Sequence, residues 1–299
     1  MEMLTVTGLE KSFGEKSVLC GLELHVPKGS IFGFVGRNGA GKTTAMKAVL
    51  GLLKADAGEI YVAGERVIYG QTATNRHIGY LPDVPEFYSF MTAREYLRLC
   101  GESLCMKDCE IEKRSDELLC LVGLSEEKHR IKGYSRGMKQ RLGIAQALLA
   151  RPKLLICDEP TSALDPIGRK EILDILLSVK EQTTVLFSTH VLSDVERICT
   201  DVALLHVGRI ALGGSVADLR RSYCKEEFIV ETETKEGASA LLSASASVKL
   251  SDKNTVVFEG GEEQMHAVLA HVSKNKIPIR KIERSQASLE RLFWGVVNK

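Results

Sequence analysis

Two periodicities of apolar and polar residues alternate along the first two thirds of the chain. Short apolar runs that predict buried strands occur at residues 31–35, 154–157, 184–187 and 202–205. Stretches with apolar residues at helical spacing occur at residues 44–52, 93–99, 111–124, 138–149 and 169–180. Strands that alternate with helices predict an α/β fold in which helices cover both faces of a mostly parallel sheet.

Weaker patterns add further elements to this framework. Strands are also predicted at residues 4–13, 22–26, 59–62 and 78–83, the last interrupted by Pro82. Ser135 is a good N-cap for the helix that follows it, and Ser193 and Glu196 have the spacing of a capping box. The helical patterns between the early and the late strands define an insert of about residues 84–150.

The pattern changes around Gly213 and Gly214. Beyond them, alternating strand and helix patterns occur at residues 228–232, 237–245, 248–250, 255–259, 262–273 and 279–282. Their order, βαββαβ, predicts a small α+β domain of the ferredoxin-like kind, followed by a helix at residues 288–297. We therefore predict one large domain over residues 1–215 and a small accessory domain over residues 216–299.

A Gly-rich segment separates the strand at residues 31–35 from the helix after it. It consists of Gly36, Arg37, Asn38, Gly39, Ala40, Gly41, Lys42 and Thr43, with Thr44 next. Glycines let backbone N–H groups point at an anion, and the helix N-terminus and Lys42 contribute positive charge. The Thr43 hydroxyl can bind a magnesium ion. The segment predicts a phosphate-binding loop, the alternative being an ordinary Gly-rich turn before a helix.

Three further residues follow the ends of predicted strands. Asp158 and Glu159 end the apolar run at residues 154–157, and His190 lies just past the run at residues 184–187. Asp158 can hold magnesium through water, and Glu159 can accept a proton from an attacking water. His190 can hold a γ-phosphate or that water. Each alone is also typical of a polar strand end or a loop, but together they predict nucleotide hydrolysis.

Phe13 precedes the Gly-rich segment at a distance that suits stacking on an adenine ring. A phenylalanine in the hydrophobic core is the alternative, and the sequence leaves both open.

The amino-acid composition limits the kinds of partner and ligand that we expect for the chain. The 40 basic and 39 acidic residues give a net charge of +1, so no global field favours nucleic acid. No apolar run reaches membrane-spanning length and no secretory signal is evident, so we expect a soluble chain that needs a partner for any membrane role. The eight cysteines suit a reducing cytosol, and Cys100, Cys105 and Cys109 lack a fourth ligand for a metal.

These motifs, in this order, resemble the ATP-binding-cassette (ABC) ATPases over about the first 215 residues. The phosphate loop of that family of P-loop NTPases matches residues 36–43, its signature segment matches residues 135–139, and its magnesium strand matches residues 154–159. Its inter-subunit loop matches residues 162–165, its switch histidine matches His190 and its adenine-stacking aromatic matches Phe13.

The resemblance implies that two cassettes pair head to tail. Each ATP, with Mg²⁺, would lie between the phosphate loop of one copy and Ser135, Arg136, Gly137 and Asp165 of the other. Thr43, Asp83 and Asp158 are the implied magnesium ligands, and Glu159 and His190 the implied catalytic residues. A separate membrane permease would dock on a helical surface at residues 84–99, which keeps the chain cytoplasmic, on the inner face of the membrane.

Three positions depart from the family pattern. Arg136 stands for a glycine, Met138 for a glutamine, and Asp83 for the glutamine that touches magnesium. The Tyr80–Asp83 stretch and the ending at residues 288–293 resemble bacterial exporter cassettes.

We expect an ATPase subunit that powers export. The alternatives are an importer subunit, a soluble cassette ATPase acting in translation or DNA maintenance, and a nucleotide-binding regulatory module without turnover. A single phosphate loop, balanced charge and the absence of sustained heptads disfavour the translation or DNA role. The combination of Lys42, Asp158, Glu159 and His190 disfavours the module without turnover.

Overall fold

The structure is a computed structural model that describes residues 2–71, 73–223, 226–242, 248–286 and 289–297. It divides into two compact units, Met1–Val216 and Ala217–Lys299. Within the residues described, no helix combines the length and the apolar character required to cross a lipid bilayer.

The first unit contains ten strands and six helices among its described residues. The strands are β1 (Glu2–Phe13), β2 (Lys16–Pro27), β3 (Ile31–Gly36), β4 (Ala57–Val62), β5 (Glu65–Arg66), β6 (Ile78–Leu81), β7 (Leu154–Cys157), β8 (Thr184–Thr189), β9 (Asp201–His206) and β10 (Arg209–Ser215). The helices are α1 (Lys42–Val49), α2 (Ala93–Ser103), α3 (Asp108–Leu121), α4 (Arg136–Leu148), α5 (Pro166–Ser178) and α6 (Leu192–Ile198), with 3₁₀ turns at Ala73–His77 and Ile131–Gly133.

The central sheet has six strands in the order β10-β9-β3-β8-β7-β6. Pairing is parallel from β9 to β6, and only β10 runs antiparallel to its neighbour β9. Every residue of β3, β7 and β8 is buried, as expected for parallel strands covered on both faces. The prediction of a mostly parallel sheet is therefore confirmed.

A second sheet holds the early alternating strands, in the order β2-β1-β4-β5, and all its pairs are antiparallel. Leu4, Val6 and Leu9 of β1 are buried and pack with the apolar face of α1 in one core. The sequence pattern predicted these strands but did not show that they form a sheet of their own. Strand pairing is a long-range property, and the alternation of one strand does not specify its partner.

The surface at residues 84–99, on which a permease was expected to dock, was predicted to be helical. The structure contradicts this prediction for residues 84–92. Helix α2 begins only at Ala93, where Thr92 and Glu95 form a reciprocal capping box. Pro82 and Pro85 explain the irregular segment, because proline lacks an N–H donor and restricts the residue before it.

The capping box predicted at Ser193 and Glu196 is also wrong. Helix α6 starts at Leu192, so Ser193 is already inside it, and its N-cap residue is Val191. The hydroxyl of Thr189 accepts a hydrogen bond from the Val191 N–H at 3.0 Å. This bond lies just before the helix, and no side chain caps the first turn of α6.

The second unit contains a four-stranded sheet and its helices. Helix α7 (Val216–Tyr223) leads into it and begins at Val216, the last residue of the first unit. The other elements are β11 (Glu226–Thr232), α8 (Lys235–Leu242), β12 (Val248–Asp252), β13 (Thr255–Glu259), α9 (Glu262–Lys274), β14 (Ile279–Gln286) and α10 (Leu289–Val297). The sheet order is β12-β13-β11-β14 and every pair is antiparallel. This is the ferredoxin-like arrangement that the βαββαβ order predicted. Two parts of the predicted helices, residues 243–245 and Ser288, lie outside the described residues.

Candidate functional site

The segment between β3 and α1 forms a tight turn that leaves a helix N-terminus open. Gly39 and Gly41 have φ values of 80° and 110°, which side chains rarely tolerate. A Cβ atom at Gly41 would also approach Leu19 Cδ2 to 3.0 Å. No side chain caps the first turn of α1. Its N–H groups are therefore suited to an anion.

Lys42 is held at the centre of this turn, and only 5% of it is exposed. Its Nζ donates hydrogen bonds to the carbonyl oxygens of Gly36 at 2.7 Å and Arg37 at 3.3 Å. It also forms an ion pair with Glu159 Oε1 at 3.0 Å. A buried ammonium is stable only with such partners, so the turn fixes a positive charge where the helix N-terminus already attracts anions.

A cavity of about 390 Å³ opens beside the turn. Its lining combines the turn with residues from four other segments: Val18, Asn38, Gly39, Gly41, Lys42, Thr43, Thr44, Asp83, Glu159, Ser162 and His190. Nine of these eleven are residues that the sequence assigned to nucleotide, metal or catalysis. Residues far apart in the chain meet here because β3, β6, β7 and β8 are neighbours in one sheet and end at the same edge.

Glu159 lies between two nitrogen atoms in this cavity. Its Oε1 pairs with Lys42, and its Oε2 lies 2.9 Å from His190 Nδ1. Glu159 has a φ of 47°, in the left-handed region, which typically stores about 1–3 kcal/mol of strain. The chain turns sharply at this residue and directs its carboxylate to both Lys42 and His190.

Asp158 is buried at the end of β7. Its N–H donates to Leu81 O at 2.8 Å, and its Oδ1 accepts from Ser188 Oγ at 2.7 Å. Burial, and then the charge of Asp158, raises the pKa of Tyr80 to about 12, so the phenol stays neutral. Burial likewise raises the pKa of the Cys157 thiol far above its usual range, which leaves Cys157 as an apolar residue of the strand.

Asp83 connects this cavity to helix α4. Its backbone oxygen accepts a hydrogen bond from Gln140 Nε2 at 2.6 Å, and its Oδ1 lies 3.5 Å from Arg136 Nη2. Asp83 and Arg136 also line a second cavity of about 420 Å³, formed by residues 83–87, Ser89, Ile131 and α4. Two of the three departures from the family pattern, Asp83 and Arg136, are therefore a charge-complementary pair.

The N-terminus of α4 reaches the rim of the cavity beside α1, which we call the phosphate-loop cavity, through the Arg136–Asp83 contact, but it does not line that cavity. Ser135 caps the helix as predicted, accepting a hydrogen bond from the Met138 N–H at 3.2 Å. Ser135, Arg136 and Gly137 are absent from the lining of the phosphate-loop cavity.

Six other predicted site residues lie outside the cavity lining: Phe13, Gly36, Arg37, Ala40, Asp158 and Asp165. Gly36, Arg37 and Ala40 complete the turn. Phe13 ends β1 and is 51% exposed, which contradicts the alternative of a core phenylalanine. The Asp165 carboxylate accepts a hydrogen bond from the Gly168 N–H at 3.2 Å and caps α5.

Sequence reasoning missed Ser188, Val18, the cavity position of Ser162, and the Lys42–Glu159 ion pair. Val18 and Lys42–Glu159 depend on sheet order, for which the sequence carries no local signal. Ser188 does carry one: it is a hydroxyl that directly follows the apolar run at residues 184–187, two residues before His190.

Comparison with known proteins agrees with this geometry. The family model described as "ABC transporter" matches residues 19–162, and the model described as "ATP-binding protein DrrA1-3-like, C-terminal domain" matches residues 214–297. The chain is 37% identical over 301 residues to "Uncharacterized ABC transporter ATP-binding protein YxlF" of Bacillus subtilis (strain 168), covering 99% of this chain and 100% of the relative. It is 35% identical to "Bacitracin transport ATP-binding protein BcrA" of Bacillus licheniformis, covering 99% of this chain and 97% of that protein.

Solved structures with the same fold include "Structure of ATP binding subunit of ABC transporter", with a TM-score of 0.65 and 33% identity over 74% of this chain and 93% of that one. The structure of cbiO1 from Clostridium perfringens, described as part of the ABC transporter complex cbiONQ, has a TM-score of 0.68 and 27% identity, covering 74% of this chain and 91% of that one. The phosphate loop, the carboxylates and the full-length relatives agree: the chain belongs to the ATP-binding subunits of ABC transporters and is an ATPase whose hydrolysis of ATP is coupled to transport.

Proposed function

We propose that this subunit works as one of two cassettes that ATP holds together beneath a membrane permease. The phosphate loop of one copy binds the triphosphate, and the signature segment (residues 135–139) of the other copy closes over it. The observation that carries the proposal is that these two parts do not line one cavity within a single chain. The cavity at α1 contains Lys42, Glu159 and His190, whereas Ser135 and Gly137 do not line it.

The residues present fit a magnesium ion. Thr43 and Asp83 line the cavity, Asp158 lies buried beside it, and all three offer oxygen atoms, which Mg²⁺ prefers. Among the residues described, no three His, Cys, Asp or Glu side chains form a metal cluster. A cage of that kind is not required, because Mg²⁺ in phosphate sites usually takes one or two protein ligands together with phosphates and water. When bound, the ion would neutralise charge on the β- and γ-phosphates.

Glu159 and His190 supply the chemistry on the protein side. The Lys42–Glu159 ion pair means that incoming phosphate competes with Glu159 for the Lys42 ammonium. Once Lys42 turns to phosphate, the Glu159 carboxylate is free to accept the proton of an attacking water, while the 2.9 Å contact with His190 keeps it oriented.

We propose that the permease contacts residues 84–99. Fewer side chains are exposed there than the sequence implied. Tyr88 and Phe90 are 56% and 61% exposed, and Val84 is exposed as well. Phe87 instead packs edge-on against Tyr96, with ring centroids 5.0 Å apart. Exposed aromatics on an irregular segment beside a cavity can receive a permease helix.

We further propose export, with the subunit held on the inner face of the membrane by its permease and without a nucleic-acid partner. Two relatives named for bacitracin transport, from Bacillus licheniformis and Enterococcus faecalis, support a role in moving a solute across the membrane. The permease, not this subunit, would determine which solute is moved. The resemblance of the Tyr80–Asp83 stretch to exporter cassettes supports the direction.

The test uses Glu159→Gln, which keeps side-chain size and removes the base. We expect hydrolysis to fall roughly 10²–10⁴-fold and ATP to trap a dimer, measured by light scattering after gel filtration. The matched control, Glu181→Gln on the exposed turn after α5, leaves both unchanged. Turnover at the parent rate by Glu159→Gln contradicts the assigned base.

The docking proposal has its own experiment. Tyr88→Ala with Phe90→Ala should abolish copurification with the permease from detergent-solubilised membranes, while ATPase activity of the purified subunit is retained. Leu52→Ala, which truncates an exposed apolar residue elsewhere, is the control. Copurification at the parent level excludes this surface.

A further inference from the structure

Ser188 is a completely buried hydroxyl between the two acidic residues of the site. It is the fifth residue of β8 and its exposed fraction is 0%. It follows the apolar residues Val185, Leu186 and Phe187, so the sheet interior around it offers little to a polar group. A hydroxyl at such a position is costly unless both its donor and its acceptor capacity are used.

Both capacities are used at Ser188. Its Oγ donates to Asp158 Oδ1 at 2.7 Å and accepts from the Glu159 N–H at 2.9 Å. A backbone N–H can only donate, so the hydroxyl proton must be directed at the Asp158 carboxylate. The chain of bonds therefore has one direction, from Glu159 through Ser188 to Asp158. One side chain holds two consecutive residues of the neighbouring strand end.

The position of these bonds in the sheet explains why a side chain is needed. The β7–β8 register ends with the pair Cys157 and Phe187. The next N–H, from Asp158, bonds to Leu81 O on the other side. Glu159 turns into the left-handed region at φ 47°, so its N–H leaves the ladder. The Ser188 hydroxyl provides the partner that the backbone of β8 no longer supplies.

We infer that Ser188 is a positioning residue for ATP hydrolysis, an assignment that rests on the roles proposed above for Asp158 and Glu159. Its hydroxyl fixes the orientation of the Asp158 carboxylate, which is the magnesium-holding group. The same hydroxyl fixes the strained backbone of Glu159, from which the base reaches the cavity. Ser188 does not line the cavity itself, so it acts only through these two residues.

The experiment compares Ser188→Ala with the parent subunit. Mutation of a residue that orients a metal-binding group typically lowers metal affinity or activity by about 10–100-fold. We therefore expect kcat/KM for ATP hydrolysis to fall by roughly that factor. A second readout does not require turnover: the affinity for a fluorescent ATP analogue with EDTA and with Mg²⁺. Affinity in EDTA should stay at the parent value, because the phosphate loop is untouched. The gain in affinity on adding Mg²⁺ should shrink.

Two further variants separate positioning from folding. Ser30 is another buried serine, whose Oγ donates to Pro27 O at 2.7 Å at the opposite end of β3. Ser30→Ala removes a comparable bond and should lower the melting temperature without changing the Mg²⁺ dependence. Ser188→Cys keeps the side-chain size with a weaker donor and should give intermediate activity.

Parent-like kcat/KM and Mg²⁺ dependence in Ser188→Ala overturn the inference, as does an equal loss of activity in Ser30→Ala. If Glu159→Gln abolishes hydrolysis while Ser188→Ala does not, only the positioning role fails. If Glu159→Gln retains turnover, the assignment of the base fails first.

Discussion

Two helices of the cassette begin at the same kind of anion-attracting N-terminus, yet their surroundings are opposite. The N-terminus of α1 lacks a side-chain cap, carries the buried Lys42 and faces a cavity lined by Glu159 and His190. The N-terminus of α4 is capped by Ser135, and the first residue of the helix, Arg136, is half exposed and pairs with Asp83. The first is a nearly complete phosphate site within one chain, whereas the second lacks a glycine turn and a buried lysine, and its cation Arg136 is paired with a carboxylate.

This difference indicates a division of work. A lone subunit has what it needs to hold the triphosphate at α1, because a lysine, a glycine turn and free N–H groups converge there. The end of α4 offers the Ser135 hydroxyl, the dipole of a helix and the Arg136 guanidinium, which is already paired with Asp83, so it is effective only when a second copy brings a phosphate to it. Changes at α1 should therefore affect nucleotide binding by single subunits, and changes at α4 should affect only paired ones.

The largest effect is expected from Lys42→Ala. Removing one partner of a buried charge pair costs about 2–5 kcal/mol, so we expect ATP affinity to fall by a factor of roughly 30 to several thousand and turnover to disappear. Isothermal titration with ATP measures the affinity. Lys47→Ala, on the exposed face of the same helix, should bind like the parent. Unchanged affinity in Lys42→Ala would mean that α1 is not the phosphate site.

At α4, the informative change is Ser135→Asp. Aspartate caps a helix as well as serine does, so the free energy of unfolding should stay near that of the parent, whereas Ser135→Ala should lose about 0.5–2 kcal/mol. The added negative charge faces the proposed phosphate of the second copy. We expect turnover to fall roughly 10²–10³-fold, the usual effect of losing one oxyanion contact. ATP binding by dilute subunit should be unaffected, and a loss of that binding would refute the division.

A smaller effect is expected from Phe13→Ala. Base-on-aromatic stacking is worth about 1–3 kcal/mol, so affinity for ATP should decrease by a factor of roughly 5–150. Phe13→Tyr keeps the ring and should bind like the parent. If Phe13 stacks on adenine, inorganic triphosphate, which has no base, should bind both variants equally. A discrepancy there would assign Phe13 a structural role.

The smallest effect concerns the Asp83–Arg136 pair that joins the two regions. Both side chains are about half exposed and 3.5 Å apart, so a double-mutant cycle with Asp83→Asn and Arg136→Gln should give a coupling of about 0.2–1 kcal/mol that weakens with salt. Urea unfolding of the four proteins measures it. Additive effects at low salt would show that the pair has no energetic weight.

The sequence revealed the α1 region more fully than the α4 region for a physical reason. A phosphate loop is local, so the glycines, Lys42 and Thr43 stand in one segment between a strand and a helix. The carboxylate positions at Asp158 and Glu159 followed from the rule that chemistry gathers at the carboxyl edge of a parallel sheet. The Arg136–Asp83 contact joins residues 53 positions apart and depends on how α4 packs on the segment after β6. Likewise, no local pattern separated the antiparallel sheet of β1, β2, β4 and β5 from the central one.

The irregular segment at residues 84–92 illustrates another limit. The surface at residues 84–99 on which a permease was expected to dock was predicted to be helical throughout, but Pro85 and the Thr92 capping box place the helix start at Ala93. The apolar pattern itself indicated a helix only from residue 93 onward, and the local stop and start signals agree with that boundary.

One mixing experiment tests the shared site most directly. Lys42→Ala and Ser135→Asp subunits are each expected to be inactive alone. When the two variants pair head to tail, one of the two sites is intact. It combines the phosphate loop of the Ser135→Asp subunit with the signature segment of the Lys42→Ala subunit. Half of the dimers in an equal mixture are such pairs, so we expect up to about a quarter of the parent ATPase activity, increasing with protein concentration. A mixture no more active than the two variants measured separately would contradict the sharing of ATP between two copies.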